Sequence, residues 1–120
     1  DNADPASAER IAATIRSAGL TLDGVFFNAG WGTFLPVEQV TAETFDAHYD
    51  VNVRGPLLQA KALSPLLNNG GFVVFNTSVA QHIGMPGGSV YNSTKAALRT
   101  IVRVLAQEWS DRGIHVNAVS

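Results

Sequence analysis

The sequence predicts an α/β fold: an open, three-layer, doubly wound parallel sheet with helices on both faces, of which these 120 residues supply a part. Three observations predict it. The short apolar runs 24-GVFFNAG-30, 71-GFVVFNTS-78 and 113-GIHVNAV-119 do not alternate and end in or abut turn residues, as strands buried on both faces of a parallel sheet do. Long helical patterns separate them. The order strand, helix, strand, helix, strand then implies right-handed helical crossovers between parallel neighbours.

Taken in order, Asp4 and Pro5 have the form of a helix N-cap followed by proline at the first helical position. Ala8, Ile11, Ala12 and Ile15 recur at helical spacing until Gly19, which predicts a first helix over 5–18. After the strand at 24–30, a long helical pattern starts beyond Thr41 and runs to about Leu67. After the strand at 71–78, another runs from about Val90 to Asp111, with Gly113 as its terminator. In that second helix Tyr91, Leu98, Val102, Leu105 and Trp109 form an apolar stripe that packs on the sheet. No repeat, low-complexity tract or linker interrupts the pattern, so residues 1–120 read as one truncated domain. Residue 1 is Asp, and 114-IHVNAVS-120 reads as a strand without a closing turn, so the expectation is an excerpt of a longer chain.

Composition removes several function classes. A formal net charge of −2 with few, scattered Lys and Arg lacks the basic face of a phosphate-backbone binder, so nucleic acid is not an expected partner. No apolar run approaches the roughly 20 residues that span a bilayer, and the first residues carry no signal-peptide pattern, so the expected setting is soluble and cytoplasmic. Zero cysteines exclude disulfides, thiolate nucleophiles and Cys-bound zinc. His48, His82 and His115 show no metal-ligand spacing, and no metal is expected. His82 and Trp31 fall in loops after strands and read as solvated or packing residues.

In open α/β sheets ligands bind beyond the carboxyl ends of the strands, which draws attention to Asn28, Thr77 and Ser78. Beyond them comes 91-YNSTK-95. Four residues apart on a helix, Tyr91 and Lys95 share one face. A free phenol ionises near pH 10, so base work at neutral pH requires roughly 4 kcal/mol of phenolate stabilisation. An ammonium about 5 Å away supplies roughly 3 kcal/mol at an effective dielectric near 20. Asn52 lies inside a predicted helix four residues before Pro56, which has no N–H to give the Asn52 carbonyl. That proline either frees the carbonyl for another partner or simply kinks or breaks the helix.

With 28-NAG-30, 50-DVN-52, Ser78, 91-YNSTK-95 and 115-HVNAVS-120 in this order and spacing, the chain resembles the short-chain dehydrogenases/reductases over its whole length. The resemblance implies a Rossmann-like fold and an NAD- or NADP-dependent oxidoreductase acting on a small carbonyl/alcohol substrate. It assigns a catalytic tetrad to Asn52, Ser78, Tyr91 and Lys95. Tyr91 is the implied general acid and base, and Ser78 the hydrogen-bond donor to the substrate oxygen. Lys95 also holds the nicotinamide ribose, and the Asn52 carbonyl carries a water that relays protons to it. Asn28, Ala29 and Gly30 are implied contacts of the adenine ribose, and Asp1-Asn2 stand where the family places an adenine-binding acid. Phe27 departs from the family's usual doubled asparagine. The family's glycine-rich pyrophosphate turn is not among these residues, so this stretch alone is expected to bind dinucleotide poorly. Phe45, Leu58 and Ile101 on the outer faces of the two long helices mark the implied homodimer or homotetramer interface. The rival readings are a regulatory protein that senses the cofactor without turnover, or an inactive fragment.

Overall fold

In the computed structural model, which describes residues 1–120, the alternation appears as α1 (Ala6–Ser17), β1 (Leu22–Phe27), α2 (Ala42–Tyr49), α3 (Gly55–Leu63), β2 (Leu67–Asn76), α4 (Ser89–Glu108) and β3 (His115–Val119). β1 pairs with β2 and β2 with β3, both in parallel, so the sheet follows chain order. Leu22 faces Leu67 but Gly24 faces Phe72, so residues 68–71 bulge out of β2 around Gly70, at φ 77°. Regular pairing with β3 begins at Phe72, beside the expected strand start.

Chain order dictates the layers. Two right-handed crossovers that step the same way across a sheet place their helices on the same face. The core forms there: Phe27, Val73, Phe75 and Val116 point into a cluster with Ala12, Ala60, Leu63, Leu98, Val102 and Leu105. Phe27 and Phe75 stack at 4.6 Å between ring centroids. Side chains alternate along a strand, so Phe26, Phe72 and Val119 point the other way, where they are 57%, 54% and 49% exposed. The α/β class holds, with the sheet and one helical layer present. Among these residues the strands are covered by helices on one face, since both crossovers step the same way.

The long segment after Thr41 is not one helix. Thr41 caps α2, its Oγ1 accepting the Thr44 N–H at 3.2 Å. A single π turn at Asp50–Arg54 then links α2 to α3, and a 3₁₀ turn at Ser64–Leu66 follows. At the far end α4 runs into a 3₁₀ turn closed by Gly113 in the left-handed region, φ 63°, as the terminator reading expects. Of the residues expected to face a partner, Phe45 is exposed, whereas Leu58 and Ile101 are half-buried, Ile101 against the core. No helix is long and apolar enough to cross a membrane.

Phe75→Ala removes a fully buried ring and is expected to cost about 3–5 kcal/mol, while Val104→Ala on the exposed side of α4 should change stability by less than about 0.5 kcal/mol. Urea midpoints at unchanged slope report both differences.

Candidate active site

Tyr91 and Lys95 lie one turn apart near the start of α4, with Lys95 Nζ 5.7 Å from the Tyr91 ring centroid. Their four-residue spacing therefore does bring the two groups together. Lys95 is only 4% exposed, and its ammonium donates to the Asn76 carbonyl, at the carboxyl end of β2, at 3.0 Å. Burial pushes the Lys95 ammonium below its ordinary pKa. One of its three N–H donors is spent on Asn76, which leaves two. Gly30 completes this corner, since a Cβ there would stand 3.2 Å from Lys95 Nζ and 3.5 Å from Asn52 Oδ1.

Asn52 is buried in the π turn, 1% exposed. Pro56 cannot donate, and the Gly55 N–H bonds back to the Asp50 carbonyl, five residues earlier. The Val51 carbonyl is thereby left over, and Asn2 Nδ2 donates to it at 3.4 Å. Gly55 permits this approach, for a Cβ there would meet the Asn2 carbonyl oxygen at 2.4 Å. The Asn52 carboxamide works elsewhere. Its Oδ1 accepts the Trp31 N–H at 2.8 Å, while its Nδ2 donates to the Trp31 carbonyl at 2.6 Å and to Thr94 Oγ1 at 3.1 Å. Thr94 Oγ1 in turn donates to the Tyr91 carbonyl at 2.7 Å. One side chain thus ties the loop after β1 to the helix that carries Tyr91 and Lys95.

His48 stands one turn before Asn52 and is fully buried. Its Nε2 accepts the Thr33 N–H at 2.9 Å, so the proton sits on Nδ1, which donates to the Thr44 carbonyl at 2.7 Å. The Trp31 ring lies against this imidazole at 4.4 Å between centroids. His48 is therefore a clamp on the loop, a role that sequence reading missed. Its one legible signal is the four-residue spacing to Asn52, which puts both on one helix face. No cluster of His, Asp and Glu is placed to hold a metal.

Ser78 follows β2 and opens a 3₁₀ turn at Val79–Gln81, its Oγ accepting the Ala80 N–H at 3.2 Å. The preceding Thr77 is pinned by both N–H and Oγ1 to the Val119 carbonyl, at 2.7 and 2.9 Å. Ser78 and Tyr91 line one cavity of about 410 Å³ with Gly30, Trp31, Phe34 and Met85. Gly32 also lines it, and a Cβ on Gly32 would meet Tyr91 Cδ2 at 2.3 Å. With Phe34 at 5.6 Å on another side, the Tyr91 ring is boxed in. Asn28, Ala29 and Gly30 form an exposed edge beside Lys95, and Asn28 Oδ1 accepts from Asn76 Nδ2 at 2.9 Å. Asp1 is exposed, its Oδ1 taking the Ala3 N–H at 2.9 Å. Asn2 is tied to α3 by Gln59 Nε2, which donates to its Oδ1 at 2.7 Å, and neither residue hydrogen-bonds residues 28–30. His82 is exposed, its Nε2 lying 3.2 Å from Gln81 Nε2.

The family model described as enoyl-(acyl carrier protein) reductase matches residues 1–120. An uncharacterized oxidoreductase of Methylorubrum extorquens is 42% identical over 99 residues, covering 82% of this chain and 40% of the relative. Versicolorin reductase 1 of Aspergillus parasiticus is 37% identical over 122 aligned residues, covering 100% of this chain and 46% of the relative. A solved structure of a short chain dehydrogenase from Burkholderia cenocepacia, in complex with NADP, superimposes with a TM-score of 0.91 at 32% identity, over 98% of this chain and 49% of that one. The chain spans less than half the length of these relatives.

Asn52→Ala would strand the part-buried Trp31 N–H and carbonyl, so a stability loss of about 1–3 kcal/mol is expected, together with faster hydrogen exchange at the Trp31 amide. Lys95→Met tests the opposite sign. With its folded pKa lowered, Lys95 binds fewer protons in the folded chain than in the unfolded one. It therefore penalises folding below the folded pKa, and the penalty fades as pH rises toward the ordinary lysine value of 10.5. Lys95→Met is expected to match or exceed the parent in urea at neutral pH, with an advantage that shrinks as the solution is made alkaline. An advantage that grew with pH would contradict the burial argument.

Proposed function

The chain belongs to the short-chain dehydrogenase/reductase family, and on that footing we propose that it carries the acid–base site of an NAD- or NADP-dependent oxidoreductase acting on a small carbonyl/alcohol pair. One observation carries this reading: Tyr91 and Ser78 share a cavity while the Lys95 ammonium stands 5.7 Å from the Tyr91 ring. In reduction the Tyr91 hydroxyl gives its proton to the substrate oxygen, and in oxidation it takes that proton back. The Ala80 N–H occupies only a lone pair of Ser78 Oγ, so the Ser78 hydroxyl hydrogen is free to point at the same oxygen. Lys95 lowers the cost of charge on the Tyr91 oxygen, and the low local dielectric that disfavours the ammonium also strengthens its field.

The residues present fit a nicotinamide cofactor. The two uncommitted N–H donors of Lys95 suit a ribose diol, and the exposed edge at Asn28, Ala29 and Gly30 has little side chain to block a close approach. Asp1 is the remaining candidate contact, near the adenine. When bound, the nicotinamide supplies or accepts the hydride. Pro56 denies the Asn52 carbonyl its α-helical donor, which supports a water there that refills Lys95 and Tyr91 with protons. A cytoplasmic setting, where nicotinamide cofactors are plentiful, belongs to the same reading. So does a homodimer or homotetramer through α2–α3 and α4, supported by exposed Phe45.

In the intact protein, Tyr91→Phe should lower the single-turnover rate, followed at the reduced nicotinamide absorbance, by about 10²–10⁴-fold while leaving the urea midpoint near that of the parent. Equal rates would remove Tyr91 from the chemistry.

A further inference from the structure

Granting the oxidoreductase reading, the cavity beside Tyr91 also indicates what class of molecule enters it. Trp31, Phe34, Val79 and Met85 supply its apolar wall, and its polar side chains are the hydroxyls of Ser78 and Tyr91. None of the residues lining it here carries a charge. Lys95, the cation beside Tyr91, is turned toward the Asn76 carbonyl and is not part of the lining. A carboxylate or phosphate brought into this space would lose hydration and gain no counter-charge.

Trp31 is a built part of that wall. Its backbone is held at both N–H and carbonyl by the Asn52 carboxamide. Beneath its indole lies His48, which cannot turn without breaking a bond at one or the other ring nitrogen. The indole is nonetheless 46% exposed and borders the cavity. A large aromatic surface that is fixed from behind and open in front is preorganised for stacking, so little ordering cost attends a flat ligand. The rim has the same character, with Val79 59%, Phe34 47% and Met85 40% exposed.

We propose that Trp31 is the specificity-determining residue of this site and that the site takes an uncharged, flat, mainly apolar ketone or its alcohol, stacked on the indole with its oxygen at the Ser78 and Tyr91 hydroxyls. The test uses the intact protein labelled with 5-fluorotryptophan, the Trp31 resonance being assigned by its loss in Trp31→Phe. Two aryl ketones of matched size are titrated, neutral 4′-methylacetophenone and anionic 4-acetylbenzoate. The neutral ketone should move the Trp31 resonance and half-saturate at a concentration about tenfold or more below the anion. Trp31→Ala should weaken the neutral ketone about fivefold or more by ligand-observed saturation transfer, and Trp31→Phe should largely retain it. Equal affinity for the two probes, a stationary Trp31 resonance while the ketone binds, or binding of neither probe would overturn the proposal. A neutral ketone that binds as expected but is never reduced sinks the oxidoreductase reading alone. Equal kcat/KM for both ketones sinks the substrate class alone.

Discussion

Pro56 has no N–H, and the chain answers by spending a wider turn between α2 and α3 instead of a continuous helix. Much of the arrangement at the sheet rim hangs from that turn. It carries Asn52, whose carboxamide is fully committed to the Trp31 backbone and Thr94, and the same helical face carries His48, which secures Thr33. Two polar side chains thus hold a loop that would otherwise pass over the site with its Trp31 and Thr33 amides unpaired. The same turn leaves the Val51 carbonyl for Asn2, so the first residues of the chain are stitched to the back of the site by the irregularity that builds its front.

The second determinant is a charge that folding disfavours. Lys95 is buried with a single carbonyl for company, and no carboxylate lies within salt-bridge range of it. A stability-driven sequence would put an apolar residue here. An ammonium with unspent donors beside a phenol makes sense as a working group, and Gly30 and Gly32 are its accomplices. One leaves room at Nζ, and the other lets the Tyr91 ring lie against the backbone.

Much of this was legible in the sequence, for reasons that differ by residue. The strands announce themselves by apolar runs that end in turn residues, topology draws attention to Ser78 and helical spacing pairs Tyr91 with Lys95, while their roles come from the family resemblance. Pro56 signalled a disturbed helix, though not that the result would be a π turn. The partners of the site were hidden because they are backbone groups: the Trp31 amide and carbonyl, the Thr33 amide and the Asn76 carbonyl have no side-chain signature. The fit of Gly32 against Tyr91 depends on tertiary placement, which residue type alone does not encode. The bare face of the sheet escaped for a related reason. Apolar strand patterns at Phe26 and Phe72 say that a face wants cover, and they do not say what lies over it. Leu58 and Ile101 look outward on a helical wheel yet are drawn inward by α1 and the core, because wheels ignore neighbouring helices.

The two hydrogen bonds from Thr77 to the Val119 carbonyl couple the site to sheet pairing. Ser78 is the next residue, so its hydroxyl takes its position from β3, whereas Tyr91 and Lys95 share a helix whose geometry is local. Fraying of β3 would release Thr77 and unseat Ser78 while leaving Tyr91 and Lys95 one turn apart on α4. The serine of the cavity thus depends on sheet pairing, and the phenol–amine pair on helix geometry alone.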